Sequence, residues 1–122
     1  MQDRDDGMRF QGRIIRADNL KLMARLPEEC CDLIYVDPPF CTGKEQTQGD
    51  GRHKFADYWP GGLQAYLEFL QPRLERMHRL LKPTGSLYVH LDWRAVHYVK
   101  VRLDEIFGAD HFLNEIVWSY RT

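Results

Sequence analysis

Leu33-Ile34-Tyr35-Val36-Asp37-Pro38-Pro39-Phe40 is an apolar run that ends abruptly in an acid, two prolines and an aromatic ring. A short uninterrupted run of branched and aromatic residues suits a strand buried on both faces. Proline has no N–H for a ladder and fixes φ, so the strand must stop at Asp37 and the chain beyond it is stiff. Residues 32–36 are therefore read as a fully buried strand, with a rigid polar corner at its carboxyl end.

Upstream, residues 13–17 read as a short strand. Asp18 or Asn19 is a good N-cap for a helix over residues 20–26, closed by Pro27. Downstream, residues 41–54 are rich in Thr, Gln, Gly, Lys and Asp, with Gly43, Gly49 and Gly51 and few apolar side chains. A polar stretch of that length predicts a mobile loop, taken over residues 41–62, of the kind that serves as a lid. Leu63, Tyr66, Leu67, Leu70, Leu74, Met77, Leu80 and Leu81 then fall on one helical stripe, broken or kinked at Pro72. Lys82-Pro83-Thr84-Gly85 reads as a turn and residues 86–91 as a strand. Helical spacing returns over residues 93–107 and stops at Gly108. Residues 112–118 are the last strand candidate.

Strands and helices alternate, which predicts an α/β sheet covered by helices. In such sheets ligands bind beyond the carboxyl ends of the strands, where Asp37-Pro38-Pro39-Phe40 falls. With 122 residues the chain is one domain or part of one, preceded by a polar tail over residues 1–12. A hydrophobic share of 43% with 29% charged residues is that of an ordinary globular protein. No apolar run approaches the length of a membrane-spanning helix and the N-terminus lacks the apolar core of a secretory signal, so the expected compartment is the cytoplasm. Cys30, Cys31 and Cys41 are read as reduced thiols, and five scattered histidines lack the spacing of a metal site, so no metal is expected. The net charge of −1 gives no footprint for nucleic acid over the whole domain, so any such surface must be local.

The tetrapeptide has a definite chemistry. The amino group of adenine or cytosine is a poor nucleophile because its lone pair is delocalised into the ring. A carboxylate at Asp37 and the main-chain carbonyl of Pro38 can each accept one N–H, which favours a pyramidal nitrogen whose lone pair points at an electrophile. Pro38 and Pro39 aim that carbonyl by stiffness. Phe40 offers a flat face for a base taken out of the duplex, worth roughly 1 to 3 kcal/mol. The plain alternative is a strand end with a capped turn and a core phenylalanine. Arg73, Arg76, Arg79 and Lys82 form a positive stripe, read as a solvated helix face rather than a phosphate site. His90 and Asp92 read as a structural pair beside the site.

At these residues the chain resembles the DNA amino methyltransferases of the beta order, in which an Asp-Pro-Pro-Tyr/Phe segment precedes the cofactor glycine loop. Thr42-Gly43-Lys44, the stretch from Arg79-Leu80-Leu81-Lys82-Pro83 to His90-Leu91-Asp92, Phe107-Gly108 and Asn114-Glu115-Ile116-Val117-Trp118 are similar to successive family segments in the same order. The resemblance implies a partial doubly wound, Rossmann-like α/β sheet over residues 13–122. It implies methyl transfer from S-adenosylmethionine to the amino group of a flipped base in double-stranded DNA, adenine N6 because Asp opens the motif, with cytosine N4 as the alternative. Asp37, Pro38, Pro39 and Phe40 would be catalytic, and Asp18, Asn19, Leu20 and Asp37 would bind the cofactor. Ala17 stands where the family carries glycine before Asp18. Lys44, Arg52, His53 and Lys54 are the DNA-binding candidates, since a lid over a flipped base approaches the backbone. A restriction endonuclease subunit is an implied partner.

The resemblance stops at an absence. Gly49-x-Gly51 follows no strand, so the family's Phe-x-Gly-x-Gly cofactor loop is not found, nor is a recognition region. The expectation is an N-terminal portion of a longer enzyme, inactive alone. The competing reading is a non-catalytic or split module that needs a partner chain.

Overall fold

The computed structural model describes residues 10–40, 45–47, 54–56 and 59–121. The elements are α1 (Asn19–Met23), β1 (Cys31–Val36), β2 (Glu45–Thr47), β3 (Lys54–Ala56), α2 (Gly62–Leu80), β4 (Leu81–Val89) and α3 (Val96–Phe107), followed by a 3-10 turn over Ala109–His111. β1 and β4 pair in parallel, and β2 and β3 form a separate antiparallel ladder. A parallel pair needs a crossover, and α2 supplies it.

The core lies between one face of the β1–β4 sheet and the helices. Tyr66, Leu67, Leu70, Leu74, Met77 and Leu80 of α2 are buried with Met23 of α1, Val99 of α3 and Ala95 just before it, and Ile34, Val36, Leu87 and Val89 of the sheet pack against them. The opposite face is open among the described residues: Leu33, Tyr35 and Tyr88 are 60%, 64% and 49% exposed. β1 is thus not the fully buried strand expected from its composition, because helices cover only one of its faces.

Asp18 caps α1 by accepting from the Leu20 N–H at 2.9 Å, and the helix ends at Met23, three residues short of the expected limit. Five residues cannot sustain a helix alone. Arg76 of α2 holds it, with Nε donating to the Met23 carbonyl at 2.9 Å and a terminal N–H to the Leu26 carbonyl at 2.7 Å. α2 runs unbroken through Pro72. A proline inside a helix costs about 3 kcal/mol, but this one lies on the exposed side, opposite a continuous buried stripe.

Lys82-Pro83-Thr84-Gly85 is not the separate turn expected before a strand over residues 86–91: β4 already begins at Leu81, and these residues form an irregularity in its ladder. Between the pairs Cys31↔Leu81 and Leu33↔Ser86, β4 advances five residues while β1 advances two. Gly108 ends α3 at φ 93, its N–H donating to the Asp104 carbonyl.

Three sequence expectations are corrected. Residues 13–17 and 112–118 belong to no strand. Both are rich in branched and other apolar residues, but neither has a ladder partner among the described residues, and Ile14, Leu113, Ile116, Val117 and Trp118 are exposed. The expected structureless loop 41–62 contains the β2–β3 ladder, pairing Glu45 with Ala56 and Thr47 with Lys54. Antiparallel pairing needs only a reversal of the chain, so polar composition does not forbid it. Residues 1–9 of the expected tail lie outside the described residues. Residues 10–12 form a turn, with the Arg25 guanidinium 5.6 Å from the Phe10 ring centre. Among the described residues no helix is long and apolar enough to cross a membrane.

Candidate active site

The sheet register builds the site. Val36 pairs with Val89, and the ladder continues one step further through the His90 N–H, which donates to the Val36 carbonyl at 2.9 Å. Asp37 and His90 are therefore neighbours across the strand ends. Burial goes on alternating past the end of β1, with Asp37 exposed, Pro38 buried and Pro39 exposed. Pro38 thus anchors the corner in the core while the Asp37 carboxylate stays accessible.

His90 gathers three side chains. Its Nδ1 lies 3.4 Å from Asp37 Oδ1 and 3.3 Å from the Tyr35 hydroxyl. Phe40 meets its ring edge-on, with centroids 5.3 Å apart and planes at 79°. The expected pairing of His90 with Asp92 is not found. Asp92 instead accepts the backbone N–H of Arg94 at 3.0 Å and pairs with its guanidinium at 2.6 Å, while its carbonyl accepts from Val96 at the start of α3. An aspartate just before a helix turns back on the following N–H groups, and that removes it from histidine.

On the helical side of the corner lies a cavity of about 120 Å³, lined by Asn19 of α1, Asp37, Pro38 and Pro39, Val36 and Val89 of the sheet, and Phe69, Leu70, Arg73, Leu74 and Met77 of α2. Of the expected cofactor residues, the structure brings Asn19 and Asp37 to this cavity; Asp18 and Leu20 do not line it. The Asp18 carboxylate is engaged as the α1 cap and pairs with Arg73 at 3.3 Å. The Leu20 N–H, helped by the Arg73 charge, holds its carboxyl below the ordinary value.

Arg73 and Phe69 were not singled out for this site. Arg73 donates to Asn19 Oδ1 at 2.8 Å and to the Phe69 carbonyl at 2.8 Å, and its guanidinium lies 3.8 Å from the Phe69 ring centre. The signal was its place in the positive stripe, of which Arg73 and Arg76 turn toward α1 while Arg79 stays exposed. Arg73 and Arg76 grip α1, and Lys82 pairs with Asp32 at 3.0 Å. Of the DNA-binding candidates, Lys44, Arg52 and His53 lie outside the described residues. Lys54 opens β3, and its side chain also lies outside them. Cys30 and Cys31 are free thiols with sulfurs 3.6 Å apart; Cys41 lies outside the described residues.

The Asp37 carboxylate, on a rigid proline corner, lies at the carboxyl end of a parallel strand and beside a largely apolar cavity, the position at which α/β domains hold their ligands. The model of the family described as DNA methylase matches residues 31–122, and the chain belongs to that family of amino methyltransferases. The chain is similar to the type II methyltransferase M.EcaI of Enterobacter cloacae, with 38% identity over 84% of this chain and 23% of the relative. It is similar to the DNA adenine methyltransferase YhdJ of Escherichia coli K12 at 30% identity over 88% of this chain and 33% of the relative. A third relative is the EcoP15I Mod subunit, from a type III restriction-modification enzyme of Escherichia coli, at 24% identity over 97% of this chain and 22% of the relative. The chain thus spans between 22% and 33% of the length of these relatives.

Proposed function

We propose that this chain carries the base-holding portion of an S-adenosylmethionine-dependent DNA methyltransferase that modifies the N6 amino group of a flipped adenine. The observation that carries the reading is the meeting of Asp37, Pro38 and Pro39 with Asn19 on one cavity at the end of β1.

The residues fit part of the cofactor. Small-molecule sites usually measure about 300 to 1,000 Å³, so a cavity of about 120 Å³ takes one section of such a ligand. Its apolar walls suit a flat ring, and Asn19 adds a polar amide at one end. Asn19, Asp37 and the Pro38-Pro39 corner would hold that section. When bound, S-adenosylmethionine supplies an electrophilic methyl group on its sulfonium.

The chain's own residues prepare the nucleophile. Asp37 accepts one amino N–H and the Pro38 carbonyl accepts the other, localising the nitrogen lone pair. Pro38, buried in the core, keeps that carbonyl from following the base, so the geometry is set before the substrate arrives. Phe40 supplies a stacking face once the base has left the duplex. The proton released from the methylated amino group leaves by way of the Asp37 carboxylate, which is 57% exposed.

Adenine is favoured by the Asp that opens the motif and by the likeness to the DNA adenine methyltransferase YhdJ. The lengths of the relatives and the open face of β1–β4 support reading the chain as one portion of a longer doubly wound enzyme, with the glycine loop and recognition region elsewhere. Double-stranded DNA is the substrate in this reading, and the likeness to a Mod subunit supports a restriction endonuclease as companion.

The test is Asp37→Ala in the full-length enzyme, with transfer of labelled methyl from S-adenosylmethionine to DNA followed alongside DNA retention in a gel. Transfer should fall at least about a hundredfold, the scale of losing a preorganised acceptor, while retention stays within a few fold. The methylated nucleoside from the wild-type reaction should be N6-methyladenine. Near-normal turnover by the variant would remove the basis of the reading.

A further inference from the structure

We propose that His90 is a positioning residue that fixes both the Asp37 carboxylate and the Phe40 ring, so that one imidazole sets the two groups that face the base. This rests on the function proposed for Asp37 and adds a residue to it.

The backbone places His90 before its side chain matters. Its N–H bond to the Val36 carbonyl ties it across the strand end from Asp37, so the two residues keep the spacing of a parallel ladder. From that anchor the ring reaches Asp37 Oδ1 at 3.4 Å with Nδ1 and meets the Phe40 ring edge-on at 5.3 Å. One side chain therefore touches both the hydrogen-bond acceptor and the stacking face.

The partners select a tautomer. Nδ1 lies near a carboxylate, which can only accept, and near the Tyr35 hydroxyl at 3.3 Å, which can donate or accept. A proton on Nδ1 would face Asp37 Oδ1 at 3.4 Å as an electrostatic contact, while the hydrogen bond at that nitrogen is made with the Tyr35 hydroxyl at 3.3 Å. A bare Nδ1 would face the carboxylate lone pair to lone pair. In the arrangement proposed, a proton on Nδ1 draws one carboxylate oxygen toward the ring and leaves the other for the amino group of the base. With Asp37 and His90 57% and 51% exposed, no packing would otherwise hold the carboxylate in one rotamer.

The consequence is measurable because a misplacement of about 1 Å at a reacting group can cost about a hundredfold in rate. In the full-length enzyme His90→Ala should lower kcat for methyl transfer about 10- to 100-fold, with KM for DNA changed less than about threefold. His90→Asn places an amide N–H three bonds from Cα, as Nδ1 is, and should recover kcat to within about threefold of wild type. His90→Gln carries its donor one bond too far and should stay low. A purely structural role would not separate Asn from Gln. The second measurement is the tautomer, read from the imidazole 15N shifts at pH 8.5: the proton should sit on Nδ1 in the wild-type protein and move toward Nε2 in Asp37→Ala, where the Tyr35 hydroxyl alone faces Nδ1. Wild-type kcat in His90→Ala, equal behaviour of Asn and Gln, or a wild-type proton on Nε2 overturns the inference. If Asp37→Ala abolishes transfer while His90→Ala does not lower it, the His90 role alone fails. If Asp37→Ala keeps full activity, the function proposed for the site fails, and the tautomer still reports on the contact.

Discussion

Replacing Arg76 by alanine should detach α1 from α2. The guanidinium donates two bonds, at 2.9 Å to the Met23 carbonyl and 2.7 Å to the Leu26 carbonyl, both partly buried. A hydrogen bond from a charged donor contributes roughly 1.5 to 3 kcal/mol. Two such bonds set an upper range near 3 to 6 kcal/mol, which the freed carbonyls reduce by finding water. The Leu26 N–H already bonds the Met23 carbonyl at 3.2 Å, so that acceptor is not orphaned. The expected net loss is about 2 to 4 kcal/mol. For a protein of this size each kcal/mol moves Tm by about 4 °C, so the midpoint should drop by roughly 8 to 16 °C. Equilibrium urea unfolding followed by circular dichroism and tryptophan fluorescence measures the free-energy loss, and thermal melting the midpoint. Arg79→Ala is the control, since that residue lies on the exposed side of the same stripe and should change stability by no more than about 0.5 kcal/mol. Equal losses in the two variants, or a loss under about 0.5 kcal/mol for Arg76→Ala, would refute the clamp.

Gly85→Ala should destabilise the protein by about 1 to 3 kcal/mol, because the added Cβ would lie 2.9 Å from Leu81 Cδ2, 3.0 Å from the Cys31 carbonyl and 3.1 Å from the Lys82 carbonyl. A gain in stability, the usual result where alanine fits, would show that the bulge is misplaced. Burial, with the neighbouring Cys30 thiol, pushes the Cys31 thiol up to about 11 from 9.0. At pH 8 its thiolate fraction is lowered about a hundredfold, partly offset by about tenfold greater intrinsic nucleophilicity, so exchange with a disulfide reagent should run about tenfold slower than for an ordinary thiol. The same shift means that the unfolded chain ionises first between about pH 9 and 11, so stability should fall as pH rises through that window. Peptide mapping after timed labelling and alkaline melting curves check the two parts.

Local chemistry was legible in the sequence and long-range pairing was not. Asp18 as a cap, Gly108 as a stop, the α2 stripe and the rigid corner at Asp37 each follow from a residue and its near neighbours. The partners of His90 and Arg73 do not. His90 meets Asp37 only because the parallel register sets Val36 against Val89, and Arg73 meets Asn19 only after α2 has folded back over α1. Residues 112–118 misled for the opposite reason. Branched and aromatic side chains signal what a strand would bury, but a strand exists only with a ladder beside it. At Pro72 the helix does not break, because the local cost is outweighed by the stripe on the other side of the helix.

The parallel pairing of β1 with β4 joins Cys31 to Leu81, about fifty residues further along the chain. During synthesis at about 5 to 20 residues per second, β1 leaves the ribosome roughly 3 to 10 s before its partner strand. Throughout that interval Leu33, Ile34, Tyr35 and Val36 form a run of high β-propensity with no strand beside it, the kind of segment that pairs with other nascent chains. The two prolines after Asp37 have no N–H to lend such a pairing, so the corner that shapes the site also limits how far an improper sheet can spread along the newborn chain.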